Sequence, residues 1–173
     1  RYARAVVLFR KEKNLKAFQR EIDQLIRMDP GNPYFYELKG QFLLEAGQAS
    51  RAVPSLRNAV KLAPNSGLIR ILLAHALLTA NQPRLIDEAV TQLRRAVVRE
   101  NTSPEGYRLL AMAYGRKGLT GQASLASAYQ YLYQGKLKFA KEQAKRAQTK
   151  FREGTPNWVK ADDILKFQPP KIR

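Results

Sequence analysis

Apolar residues recur along most of the chain at intervals of three and four, the spacing of one helix face. No segment alternates apolar and polar residues in the manner of a half-buried strand. Tyr2, Val6 and Phe9 mark a helix over about 2–12, and a second follows over about 15–28. Leu125, Ala128, Tyr129 and Leu132 predict a helix over 120–134, and Leu137, Ala140, Ala144 and Ala147 one over 136–151. A short amphipathic stretch, Asn157 to Phe167, carries Trp158, Val159, Ala161, Ile164 and Leu165. Asn32-Pro33, Ser103-Pro104 and Thr155-Pro156 each place a capping side chain before a proline at the first helical position. Gly47, Gly118 and Gly135 stand where helices should stop. The chain therefore reads as all-α.

The pattern repeats. Asp29-Pro30 and Ala63-Pro64 lie 34 residues apart, and between them fall Tyr36, Gly40, Leu43, Ala52, Leu56 and Ala59. These offsets resemble the tetratricopeptide repeat (TPR), a hairpin of two helices in which small residues allow close approach and larger ones fill the space around them. Lys39 stands where that template asks for Leu. Leu73, Ala74 and Leu77, then Ala89, Leu93 and Ala96, continue the series after three extra residues near Asn81-Gln82-Pro83-Arg84. Tyr107, Leu110, Ala111 and Tyr114 begin the next unit, and Ala123 follows Ala111 by the twelve residues that separate Gly40 from Ala52. In the first unit Phe18 occupies the small-residue position, where a ring is expected to hold the two helices apart.

The expected fold is all-α, a right-handed TPR-type helical-hairpin solenoid with a C-terminal capping helix. One domain is expected over 1–167, with units at about 1–31, 32–65, 66–102 and 103–134 and last helices over 136–167. Residues 168–173 are expected to be a disordered tail.

Composition narrows the chemistry. There is no Cys, so disulfide and thiolate chemistry are excluded, and a single His, His75, cannot supply an HExxH zinc motif. No cofactor and no catalytic residue is expected in this chain. Asp162-Asp163 reads as a solvated helix surface rather than a metal pair, since no further ligands converge on it. No apolar run approaches the roughly 18 residues of a membrane span. The chain opens on Arg1 with no leader pattern, which leads us to expect a piece of a longer protein. The formal charge is +17, concentrated at the ends: residues 1–27 hold eight basic and three acidic side chains, and residues 136–173 hold eleven and four.

The stretch Leu119 to Lys150, followed by Pro156-Asn157-Trp158-Val159-Lys160-Ala161-Asp162-Asp163-Ile164-Leu165, resembles the C-terminal TPR region of bacterial zinc metallopeptidases of the BepA/YfgC kind. Asn32-Pro33-Tyr34-Phe35-Tyr36-Glu37-Leu38-Lys39-Gly40-Gln41 and Leu85-Ile86-Asp87-Glu88-Ala89 are similar to the same region. The resemblance implies a periplasmic protein whose zinc belongs to an N-terminal catalytic domain outside this chain. It implies, as partners, that protease domain and envelope proteins, including outer-membrane proteins and their assembly machinery.

In TPR arrays the first helix of each pair lines a groove. That face maps to Tyr34, Glu37, Gln41 and Glu45, then Leu68, Ile71, His75, Leu78 and Thr79, then Glu105, Arg108, Met112 and Arg116. Leu68, Ile71 and Leu78 are expected to pack on neighbouring repeats. The partner-binding set is therefore Tyr34, Glu37, Gln41, Glu45, His75, Thr79, Arg108, Met112 and Arg116, a mixture suited to a wet protein-binding surface. His75, between Ala74 and Ala76, is weighed as a structural residue before a pH-sensitive contact. Tyr129 and Tyr133 share a helix face and Tyr131 points away from it. A free-standing adaptor is a further class of function. In one version the basic surface Lys136, Lys138, Lys141 and Lys145 rests on an anionic membrane. RNA binding is disfavoured because Glu37, Glu45 and Glu105 lie along the inferred groove.

Overall fold

The structure is a computed structural model and describes residues 1–12 and 14–169. Every regular element in it is helical. The described chain forms two compact units, Arg1–Glu88 and Ala89–Arg173, with the boundary inside the sixth helix.

The first unit opens with α1 (Tyr2–Val7), which widens into a π-helical turn at Leu8–Glu12, and continues through α2 (Leu15–Met28), α3 (Pro33–Glu45), α4 (Ala49–Leu62) and α5 (Gly67–Thr79). A 3₁₀ turn at Pro83–Leu85 leads into α6 (Ile86–Arg99). This turn absorbs the insertion seen in the sequence. In this unit α1 packs on α2, α2 on α3, α3 on α4 and α4 on α5, and α3 also touches α5, as stacked hairpins require.

Phe18 departs from the expectation that it would act as a wedge. It is fully buried, and its ring stacks on Phe42 of α3 with centroids 4.0 Å apart. Phe9, from the π-helical turn, meets Phe18 at 5.8 Å and Phe42 edge-on at 4.9 Å. The bulk is taken up by an aromatic cluster that joins α2 to α3. In the next hairpin Gly40 is buried against Leu56, and Ala52 and Ala59 are fully buried beside them. Lys39, the departure from the template, donates from Nζ to Asp23 Oδ1 of α2 at 2.6 Å.

Helix ends explain the turns. Asn14, Asn32, Ser66 and Ser103 accept backbone N–H bonds from Ala17, Tyr34, Ile69 and Gly106 at 3.1–3.3 Å. Thr155 holds the cap position of the last helix, but its hydroxyl donates to the Arg152 carbonyl at 2.6 Å instead of capping. Gly47, Gly118 and Gly135 have φ of 73°, 71° and 72°, a backbone region that penalises any side chain. Each closes a pair of bonds onto the preceding helix: Gly47 N–H to Leu44 and Gln48 N–H to Leu43 at the first, with the same pattern at the other two. Asn81, 34 residues after Gly47, takes the equivalent place with φ 51°. Arg70, among the few buried polar residues, donates from Nε and Nη2 to the Pro64 carbonyl at 3.1 and 2.7 Å. It thereby ties α5 to the turn before it.

The second unit continues with α7 (Pro104–Arg116), α8 (Thr120–Tyr133), α9 (Leu137–Gln148) and α10 (Pro156–Lys166). Its core is rich in alanine: Ala128 of α8, Ala140, Ala144 and Ala147 of α9 and Ala161 of α10 are fully buried, around Leu125 and Ile164. Gly121 lies so close to the segment after α9 that a Cβ there would come within 2.8 Å of Lys150 Cβ and 3.0 Å of the Phe151 ring. The α10 helix packs on both α8 and α9 and covers the end of the stack, as expected of a cap. Gln168 and Pro169 are exposed and outside any helix, while the rest of the expected tail lies outside the described residues.

Candidate interaction surfaces

Hairpin packing uses one stripe of each helix and leaves another facing away. On α3 the buried stripe is Leu38, Gly40, Phe42 and Leu43. Tyr34, Glu37, Gln41 and Glu45 recur at helical spacing outside it. Tyr34 is 62% exposed, Glu45 is exposed, and Glu37 and Gln41 are half-buried. Gln41 Nε2 donates to Glu45 Oε1 at 3.0 Å, and burial pushes the Glu37 carboxyl above its usual range. On α5 His75 is half-buried and Thr79 exposed. Ile71 and Leu78 are buried as expected, but Leu68 is 63% exposed and adds an apolar group to the outer surface of α5.

On α7 the positions expected to meet a partner form their own row. Arg108 makes a two-pronged pair with Glu105 at 2.6 and 2.7 Å, Met112 is 37% exposed, and Arg116 reaches Met112 Sδ at 3.8 Å. The nine residues read from the sequence thus fall in two sets, six in the first unit and three in the second, all outside the buried core.

A second feature is only half visible in the sequence. In the second unit a groove of about 780 Å³ is formed by single faces of four helices, with Lys117 and Leu119 from the turn between α7 and α8. Helix α6 gives Val90, Arg94, Val97 and Val98; α7 gives Tyr107, Leu110 and Tyr114; α8 gives Gln122, Ala126, Tyr129 and Tyr133; α10 gives Asn157 and Lys160. Tyr107, Tyr129 and Tyr133 stack on one another, with centroids 5.0, 5.6 and 6.2 Å apart and ring planes within 24°. Tyr131 faces elsewhere and meets Phe139 of α9 at 5.5 Å. Burial, then the fields that Tyr133 and Tyr129 would carry if ionised, push the Tyr107 hydroxyl up to about 12. Burial does the same in direction for Tyr129, helped by Tyr133 and Asp163. The Tyr107 and Tyr129 phenols are therefore neutral donors at physiological pH. The shared face of Tyr129 and Tyr133 is legible in the sequence, but their partner Tyr107 and the valine row of α6 are not.

Lys136 precedes α9, and Lys138, Lys141 and Lys145 lie on it; Lys141 is half-buried and the others are exposed. Among the described residues no group of three or more His, Asp or Glu is placed to hold a metal ion. No helix among them is long and apolar enough to cross a membrane.

Comparison with known proteins agrees with the repeat. Residues 43–113 match the tetratricopeptide repeat family model. The chain is 28% identical over 137 residues to the beta-barrel assembly-enhancing protease of Yersinia pestis, a match covering 79% of this chain. The chain spans about a quarter (27%) of the length of that relative. The crystal structure of MamA superposes with a TM-score of 0.68 at 20% identity, covering 91% of this chain and 88% of that one. A thermophilic TPR protein of Thermus thermophilus, TTC0263, superposes at 0.53 with 16% identity, covering 94% and 96%. The fold is thus the all-α, helical-hairpin architecture of tetratricopeptide-repeat proteins. That architecture serves as a scaffold for binding other proteins or peptides.

Proposed function

We propose that this chain is the substrate- or partner-docking part of a periplasmic zinc metallopeptidase that acts in envelope protein quality control. One observation carries the docking role. After the hairpins have packed, α3, α5 and α7 each retain an outward row that mixes an aromatic, Met or Leu anchor with polar groups: Tyr34 and Gln41, Leu68 and His75, Arg108 and Met112. Mixed rows of this kind bind protein surfaces through a few anchors while the polar groups fix register.

The protease setting is supported by the resemblance to the Yersinia pestis relative, which has the word protease in its name. In this reading zinc and the peptide-bond chemistry belong to a separate N-terminal domain, which this chain contacts. Its other partners are envelope proteins. The reading frame upstream of the Arg1 codon tests this setting. It is expected to encode a signal peptide and an HExxH helix. A frame without HExxH would leave a free-standing adaptor and remove the protease.

A further inference from the structure

The groove of the second unit has the features of a binding site that hairpin packing does not account for. Its walls are apolar and aromatic, yet Val98 is 74% exposed and Tyr133 38% exposed. Apolar surface gathered in a concavity and left in water marks an interaction site more often than scattered exposed residues do. Its rim is cationic, with Arg94, Lys117 and Lys160, and none of its lining residues is Asp or Glu. The rim therefore selects by charge while the floor selects by apolar bulk. The three tyrosines stack on each other, which occupies ring faces that nucleic-acid bases would need for stacking.

We infer that this groove is a second docking site, for a polypeptide segment bearing large apolar side chains flanked by carboxylates. The choice of a polypeptide rests on the protein-binding role proposed above. The location does not: on α7 the groove takes Tyr107, Leu110 and Tyr114, about half a helical turn around from Arg108, Met112 and Arg116. The apolar anchors enter between α6 and α8, and the carboxylates meet Arg94, Lys117 and Lys160. The phenol hydroxyls of Tyr107, Tyr129 and Tyr133 supply donors for the segment's backbone carbonyls.

The test uses the whole chain and three fluorescent probes: a short peptide of Phe, Leu and Glu, its counterpart with Lys for Glu, and a random RNA of similar length. The acidic peptide should bind at least about tenfold more tightly than the basic one. Val98→Glu, an exposed change that should leave the melting temperature unaltered, should weaken binding by about tenfold or more. Arg94→Glu combined with Lys160→Glu should reverse the preference between the two peptides. Binding that ignores these variants but responds to Tyr34→Ala and Met112→Ala would overturn the groove and leave the protein-binding role standing. Failure of both peptides to bind would overturn both. Displacement of the acidic peptide by RNA would overturn the polypeptide assignment. So would a dimer, seen by sedimentation, that Val98→Glu dissociates, because the groove would then belong to a second copy.

Discussion

Leu56 fills the space that a side chain on Gly40 would need: a Cβ built on the glycine falls among the Leu56 side-chain carbons. The close approach of α3 and α4 thus rests on a glycine facing a leucine one turn beyond Ala52. Gly40→Ala should destabilise the chain. The methyl overpacks a tight contact at about 1–3 kcal/mol, against roughly 0.5–1 kcal/mol gained in helix propensity. A lower urea midpoint with an unchanged slope is the expected result. Leu56→Ala added to Gly40→Ala should cost less than the sum of the two single changes, since the cavity accepts the methyl.

Asn81 does with a side chain what Gly47 and Gly118 do without one. Asn81→Gly should be neutral or stabilising by a few tenths of a kcal/mol. Asn81→Val should cost about 1 kcal/mol or more, because a β-branched residue resists positive φ. Thermal denaturation of the two variants checks the order, and equal melting temperatures would contradict it.

Arg70 is buried with its guanidinium on the Pro64 carbonyl. Arg70→Met keeps most of the apolar stem and removes the donors. It should cost about 1.5–3 kcal/mol, the usual contribution of hydrogen bonds from a charged group. Hydrogen exchange should quicken first at the start of α5, where Arg70 N–H bonds Ser66.

The tyrosine stack sets a limit at high pH. In the unfolded chain tyrosines titrate near 10, whereas in the fold Tyr107 holds its proton to about 12 and Tyr129 is raised in the same direction. The folded state therefore keeps protons that the unfolded state loses. The stabilisation is complete below about 10 and disappears as the pH rises towards 12. Phenolate absorbance should show a late-titrating component that Tyr107→Phe diminishes. An unchanged titration curve in that variant would refute the assignment.

Much of this is legible in the chain. The spacing from Pro30 to Pro64, the small residues between them and the stops at Gly47, Gly118 and Gly135 are local features, and the structure uses them in place. Other features depend on partners distant in sequence. Phe18 reads as a wedge because its neighbours Phe9 and Phe42 come from other helices. Lys39 reads as a mismatch until Asp23 is placed beside it. The tight fit of Gly121 is set by Lys150 and Phe151 across a hairpin. Leu68 falls on the groove face by its spacing, but its apolar side chain reads as packing on a neighbouring repeat, and only the structure shows it 63% exposed. The groove is harder still to read, since it assembles four faces of which none is distinctive alone.

Mapping where a client binds tests the docking role most directly. Amide chemical shifts of the chain should be followed during titration with an unfolded outer-membrane β-barrel polypeptide at roughly 0.15 M ionic strength, where exposed charges are screened beyond about 8 Å. The largest shifts are expected at Tyr34, Gln41, His75, Arg108 and Met112, and Tyr34→Ala with Met112→Ala should reduce the affinity. Shifts confined to Lys138, Lys141 and Lys145, or none at saturating polypeptide, would contradict the proposed role.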